Sequence, residues 1–207
     1  RVLGLEADSP RGRIYLILQA DSGRREIGVS FVTHLDRCLG CRACETACPS
    51  GVEYGRILER ARTEIEANYR RPLLARVARN YAYGTVLSHF RSLRRWARLL
   101  RFYQQSGMQR AVRGSGVLKL LGMEKVEALT PQMDDKFFLD EIGGVYPAQG
   151  ERRGRVALLA GCIASVAFSE LNRATIRVLN ANGIEVVVPE HQRCCGALHC
   201  HAGFRKE

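Results

Sequence analysis

The feature that most constrains this chain is a run of four closely spaced cysteines in its first quarter. The spacing is C-x2-C-x2-C-x3-C followed by proline, formed by Cys38, Cys41, Cys44, Cys48 and Pro49. Closely spaced cysteines on a curving backbone can supply thiolates to the iron corners of a cubane. A proline directly after the last cysteine prevents the run from continuing as one helix. The pattern therefore predicts a [4Fe-4S] cluster.

Two alternatives remain open for these cysteines. Zinc can be held by two C-x2-C pairs, although such pairs usually lie on separate knuckles a dozen or more residues apart, which favours iron-sulfur ligation here. The second question concerns Cys48, because the fourth cysteine of this run ligates the other cluster in two-cluster ferredoxins. Cys48 therefore either completes a single cluster with Cys38, Cys41 and Cys44, or serves a second cluster that needs upstream cysteines.

Three more cysteines follow predicted strands near the end of the chain. Apolar and helical patterns predict a strand, a helix and a strand in succession over residues 156–160, 166–180 and 184–188. Cys162 follows the first strand, and Cys194 and Cys195 follow the second. Since ligands bind beyond the carboxyl ends of parallel strands, we expect the three thiols to form one metal or redox site, with His191 or His199 as substitute ligands. Alternatively, Cys162 is a small buried hydrophobe and the pair is incidental.

The positive charge of the chain is concentrated in one basic segment, residues 56–113. This segment contains 14 Arg, no Lys and 3 acidic residues, so its charge of +11 equals that of the whole chain. Apolar residues recur every three or four positions through residues 86–103, which predicts an amphipathic basic helix within residues 72–105. We favour a solvated or partner-facing helix over a membrane surface, and the lack of a base-reading motif disfavours nucleic acid.

The remaining organisation is less strongly patterned. Composition is that of a globular chain, with 46% hydrophobic residues and no apolar run long enough to span a membrane. The run Ile14 to Ala20 fits either a strand or a helix. Residues 107–150 contain seven glycines and two prolines and are interpreted as an interdomain connection.

The signature stretches of this chain resemble the iron-sulfur subunits of glycolate oxidase, within the wider class of proteins that carry a cysteine-rich CCG domain. The resembling stretches are residues 9–17 and 34–52, together with Cys162 and Cys194-Cys195-Gly196. The resemblance implies an α+β fold. Its three parts are a helical ferredoxin-like [4Fe-4S] domain over residues 1–69, a basic helical connector over 70–150 and a partial parallel α/β CCG domain over 151–207. The start at Arg1 and the lack of downstream cysteines suggest truncation at both ends.

The resemblance also implies a function in electron transfer. A separate FAD-binding subunit would oxidise a 2-hydroxy acid such as glycolate, and this chain would carry the electrons onward. Related assignments are a subunit for lactate utilisation, glycerol-3-phosphate dehydrogenase or heterodisulfide reductase. The matching CCG positions imply a further iron-sulfur or zinc site. We expect a cytoplasmic protein, peripheral at the inner face of the cell membrane if the basic helix contacts lipid.

No flavin or nicotinamide fingerprint occurs in the sequence, so we expect no catalytic residues and no substrate chemistry from this chain alone. The rival hypothesis from another class is a structural zinc module that docks nucleic acid through its arginines. Colour distinguishes the two hypotheses, because an iron-sulfur protein absorbs visible light and a zinc protein does not.

Overall fold

The computed structural model of the protein describes residues 4–205. Arg1, on which the expectation of a truncated start depends, lies outside the described residues. The chain forms two compact units. The first contains the described residues up to Arg79 together with those from Gly196 onward, and the second runs from Asn80 to Cys195.

Helices dominate the described chain, and a three-stranded sheet completes it. The helices are α1 Pro10–Asp21, α2 Val29–Asp36, α3 Ala43–Thr46, α4 Tyr54–Asn68, α5 Leu73–Tyr81, α6 Phe90–Gln105, α7 Met108–Gly114, α8 Val117–Leu120, α9 Glu124–Ala128, α10 Ala164–Ala167, α11 Ser169–Ala181 and α12 Ala197–His201. The strands are β1 Val145–Tyr146, β2 Gly154–Ala157 and β3 Ile184–Val187. Short 3-10 turns at Glu6–Asp8 and Phe138–Glu141 and a π-helical segment at Ala82–Leu87 complete the secondary structure. The predicted α+β class is confirmed.

The first unit is a helical layer built around α1, α2 and α4. The ambiguous run Ile14 to Ala20 is helical, because Ser9 caps α1 by accepting a hydrogen bond from the Gly12 N–H at 3.0 Å and Pro10 fits the first turn. The core of the unit consists of Leu16, Phe31, Val32, Leu35, Tyr54, Leu58, Ala61 and Ile65. Two cysteines of the first run, Cys38 and Cys44, pack against this core.

The second unit contains the predicted strand, helix and strand near its end. Strands β2 and β3 are parallel, with Val156 opposite Val186, and α11 connects them. The helix ends where the sequence indicated, because Gly183 adopts a left-handed φ of +78° just beyond it. Strand β1 pairs antiparallel with the other edge of β3, which gives the sheet order β1-β3-β2.

The second half of residues 107–150, the segment interpreted as an interdomain connection, contributes side chains to the cores of the second unit. Phe138 is fully buried with Ala160, Ile176, Val186 and Val188 in the core beneath the sheet, and Phe137 is buried in a neighbouring core. Residues 145–146 form β1. The sequence did not indicate this contribution, because two adjacent aromatic residues in a stretch with many glycines and two prolines form no periodic pattern.

The predicted basic helix exists, but it is interrupted. The π-helical segment and the extended backbone of His89 separate α5 from α6. Leu93 and Ala97 form the buried face of α6, as the periodicity indicated. No helix among residues 4–205 is long and apolar enough to cross a membrane.

The two compact units do not coincide with the three sequence segments 1–69, 70–150 and 151–207. Residues 196–205 belong with α4 of the first unit, because Arg62 and Glu59 bind them directly. The division into these three segments therefore stays a prediction.

Phe138→Ala is expected to lower the free energy of unfolding of the second unit by about 3–5 kcal/mol, because it removes a completely buried ring and leaves a cavity. Urea unfolding followed by the fluorescence of Trp96, the single tryptophan, measures the effect. The matched control is Phe102→Ala, at a ring that is 62% exposed and should matter by less than about 0.5 kcal/mol. Equal effects of the two substitutions would contradict the burial argument.

Candidate iron-sulfur centre

The first cysteine loop, residues 38–48, is shaped by two left-handed turns. Helix α2 ends at Asp36, and Cys38 follows after one residue. The backbone then turns at Gly40 with φ +67° and again at Arg42 with φ +59°, directly before α3 carries Cys44. Arg42 is the only non-glycine residue with positive φ among residues 4–205, and such a conformation persists only where its surroundings hold it.

Side chains around Arg42 hold that turn in place. Its Nε donates to Glu45 Oε2 at 2.7 Å, and the other oxygen of Glu45 accepts from the Gly55 N–H at 2.5 Å. A Cβ on Gly55 would lie 2.7 Å from the Arg42 Nε, so a larger residue at this position would force the Arg42 side chain to shift. Tyr54 and Gly55 were not identified from the sequence, because they lie outside the cysteine run, and Glu45 lies within the run at a position that the spacing leaves unspecified.

Hydrogen-bond donors surround two of the loop sulfurs. The Gly40 N–H donates to Cys38 Sγ at 3.5 Å, and the Tyr54 hydroxyl donates to the same atom at 3.6 Å. Backbone N–H groups of Val52, Ser50 and Gly51 lower the pKa of the Cys48 thiol, with Val52 contributing most. Cluster ligands are thiolates, and donors to sulfur stabilise the thiolate form. The loop therefore fits the ligation of an iron-sulfur cluster.

The four loop cysteines differ in their exposure. Cys41 is exposed, whereas Cys38, Cys44 and Cys48 are partly buried. Among residues 4–205, no three Cys, His, Asp or Glu side chains converge closely enough to hold a single metal ion. A cubane takes each thiolate at a different iron corner, so its ligands are spread around it.

The second group of cysteines lies at the carboxyl end of the parallel strands. Gly161, with φ +71°, turns the chain after β2, and Cys162 follows in a buried position. Burial raises the pKa of the Cys162 thiol, and the nearby thiols of Cys194 and Cys195 raise it further. The binding of a metal by these three cysteines stays a prediction.

The side chain of Gln192 connects the two chain segments that carry these cysteines. Its Oε1 accepts from the Ala160 N–H at 2.9 Å, and its Nε2 donates to the Leu158 carbonyl at 3.1 Å. These two hydrogen bonds attach the segment before Cys194 to the chain that leaves β2. Of the two substitute ligands suggested by the sequence, His191 is exposed in the second unit and His199 lies in α12 of the first.

Three family models match separate parts of the chain. Residues 31–53 match a 4Fe-4S binding domain, residues 74–130 match the linker region of the glycolate oxidase iron-sulfur subunit, and residues 156–207 match a cysteine-rich domain. The cysteine loop, the basic segment and the second cysteine group therefore each lie wholly or largely within a known sequence family.

Curated relatives match nearly the whole chain. A probable glycolate oxidase iron-sulfur subunit of Bacillus subtilis is 40% identical over 200 residues, or 96% of this chain, and the glycolate oxidase iron-sulfur subunit of Escherichia coli is 36% identical over 209 residues. The chain spans 45% of the length of each. Lactate utilization protein A of Halalkalibacterium halodurans is 34% identical over only 53 residues, 26% of this chain and 22% of the relative. No solved structure matches the chain.

Proposed function

This chain belongs to the family of glycolate oxidase iron-sulfur subunits, and from that premise we propose that it is the electron-transferring subunit of a flavin-dependent 2-hydroxy-acid oxidase. In this proposal Cys38, Cys41 and Cys44 hold one [4Fe-4S] cluster. A bound cluster supplies one-electron redox chemistry. The observation that carries the proposal is the first cysteine loop, with two left-handed turns and hydrogen-bond donors directed at sulfur.

Cys48 is proposed to serve a different cluster from the other three cysteines. Cys38 and Cys44 pack on the core of the unit and both lie close to the Tyr54 hydroxyl. Cys48 is surrounded instead by the N–H groups of residues 50–52. These different surroundings support the two-cluster arrangement, in which a cysteine from another motif completes the first set.

The exposed part of the loop is the proposed approach for redox partners. Cys41 is exposed, and the neighbouring Leu39 is 93% exposed. Electron transfer needs close approach, and an apolar side chain beside the exposed ligand can be covered by a docking protein at little cost. The proposed donor is the FAD-binding subunit. Cys162, Cys194 and Cys195 are proposed to form part of a second metal or redox site.

Anaerobic purification tests this function against the zinc alternative. We expect a brown protein containing iron and acid-labile sulfide, with an electron paramagnetic resonance signal after reduction by dithionite. A colourless protein that holds stoichiometric zinc after growth and handling under iron-replete, anaerobic conditions would contradict the proposal.

The exposed face of α6 supports a peripheral membrane contact on the cytoplasmic side as a further part of this proposal. Trp96 and Leu99 are exposed there beside Arg91, Arg95 and Arg98, three exposed arginines for which the structure shows no ion pair within residues 4–205. Apolar and aromatic side chains next to basic ones are typical of helices that lie on anionic bilayers.

Replacing Arg91, Arg95 and Arg98 together by glutamine is expected to weaken binding to phosphatidylglycerol vesicles about a hundredfold, since each basic residue near an anionic surface contributes about 1 kcal/mol. Vesicle flotation measures the binding. The control replaces Arg152, Arg155 and Arg177, which pair with Glu185 or Glu170 and give the same net charge. Equal loss in both variants, or no binding by the unsubstituted chain, would rule out a specific α6 contact and leave a protein partner as the occupant of this face.

A further inference from the structure

Two side chains of α4 bind the C-terminal segment, residues 196–205. Neither of them belongs to the proposed cysteine sites. Arg62 Nη1 donates to the His201 carbonyl at 2.8 Å. Glu59 contacts the same segment twice, with Oε1 at 2.8 Å from His201 Nδ1 and Oε2 at 3.4 Å from Cys200 Sγ. Both α4 residues lie on the helix face that α12 covers, since they are three positions apart.

The packing fixes the position of this segment along α4. Gly203 has φ +87°, and a Cβ there would lie 2.4 Å from the carbonyl oxygen of Arg62. Only glycine allows this approach of the two backbones. The next residue, Phe204, places its ring under the guanidinium of Arg79 at 5.3 Å.

The same Arg62 guanidinium also reaches the first cysteine loop. Its Nη2 donates to the Cys38 carbonyl at 2.5 Å and to the Leu35 carbonyl at 3.2 Å. Carbonyls at the ends of helices lack partners within the helix and carry partial negative charge, so a fixed cation is favourable at both α2 and α12. The planar fork of arginine can bind several carbonyls in fixed directions, which a lysine ammonium does not reproduce.

We propose that Arg62 is a positioning residue for the first cysteine loop: it anchors the backbone of Cys38 to the segment that follows the Cys194-Cys195 pair, and its charge favours the reduced state of the cluster. This inference rests on the proposed function, because it assumes a cluster at Cys38. Arg62 touches the carbonyl of a ligand residue and not the sulfur, so it acts through Cys38.

One consequence is that the cysteine loop is supported by residues far away in sequence. Arg62 connects the carbonyl of Cys38 with that of His201, which lies six residues beyond Cys195. If the C-terminal segment moves, the Arg62 guanidinium moves with it, and its hydrogen bond to the Cys38 carbonyl changes. Within the first unit, this one side chain links the first cysteine loop to the segment 196–205.

The test compares Arg62→Gln with Arg62→Lys and with the control Arg60→Gln, an exposed arginine on the same helix. Each full chain is reconstituted anaerobically and titrated with dithionite while the cluster is followed by electron paramagnetic resonance. Loss of the fixed charge in Arg62→Gln should disfavour reduction about tenfold, equivalent to about 59 mV for one electron. Arg62→Lys and Arg60→Gln should titrate close to the unsubstituted chain.

Amide hydrogen exchange of the metal-free chain provides a second, independent readout. Arg62→Lys and Gly203→Ala should both accelerate exchange in residues 38–40, because each disturbs the anchor without removing its charge. Unchanged exchange in both variants, or an unchanged reduction potential in Arg62→Gln, would overturn the inference. If Arg62→Gln retains no cluster, the exchange result decides. A chain that binds no cluster even when unsubstituted would instead contradict the proposed function, and the exchange measurement would still test the anchor.

Discussion

Replacing Cys38, Cys41 or Cys44 singly by serine is expected to remove the cluster from the protein, lowering its iron content from about four atoms per cluster to near zero. Serine supplies an oxygen of much higher pKa than a thiol, and a cubane that loses one of three thiolates from a single loop is held too weakly to survive purification. Iron and sulfide analysis of anaerobically purified chains, together with visible absorbance, measures the loss.

Cys200→Ser is the matched control for these substitutions. Cys200 is also partly buried in the first unit, but it contacts Glu59 and belongs to neither cysteine group. It should retain the iron of the unsubstituted protein. Cys162→Ser should retain the first cluster as well, because Cys162 belongs to the second unit. Unchanged iron and sulfide in all three loop variants would show that the cluster assignment is wrong.

The second large effect concerns substrate turnover. The isolated chain should oxidise neither glycolate nor lactate with an artificial electron acceptor, and adding the FAD-binding subunit should restore oxidation. Removal of two electrons from a hydroxy acid as a hydride equivalent is chemistry that a flavin performs, whereas an iron-sulfur cluster accepts one electron at a time. Acceptor reduction, followed in a spectrophotometer with and without the flavoprotein, measures the difference.

Two controls separate dependence on the flavoprotein from simple inactivity. The flavoprotein alone shows how much acceptor reduction bypasses this chain. A Cys44→Ser chain added to the flavoprotein should pass no electrons beyond that background. Turnover by the flavoprotein-free chain would refute the proposed role, since it would require a substrate site within this sequence.

Local patterns in the sequence predicted much of the architecture and the iron-sulfur cofactor. The spacing of the first cysteine run indicated iron-sulfur ligation, which the 4Fe-4S domain match over residues 31–53 supports. The alternation of apolar runs indicated parallel strands joined by a helix, and β2, α11 and β3 have that arrangement. These predictions succeeded because each depends on residues within about 35 positions, where spacing directly constrains geometry.

Only the tertiary structure revealed the residues that hold the sites in shape. Arg62 is one of 14 arginines in a basic segment, and nothing in its neighbours distinguishes it from Arg60. Its role depends on contacts with Cys38 and His201, the second of which is 139 positions away. Burial of Phe138 under the sheet and attachment of Gln192 beside β2 likewise depend on distant partners. The sequence determined the chemistry, because ligand type and spacing are local, whereas the supporting contacts were decided by folding, which brings together residues that share no local pattern.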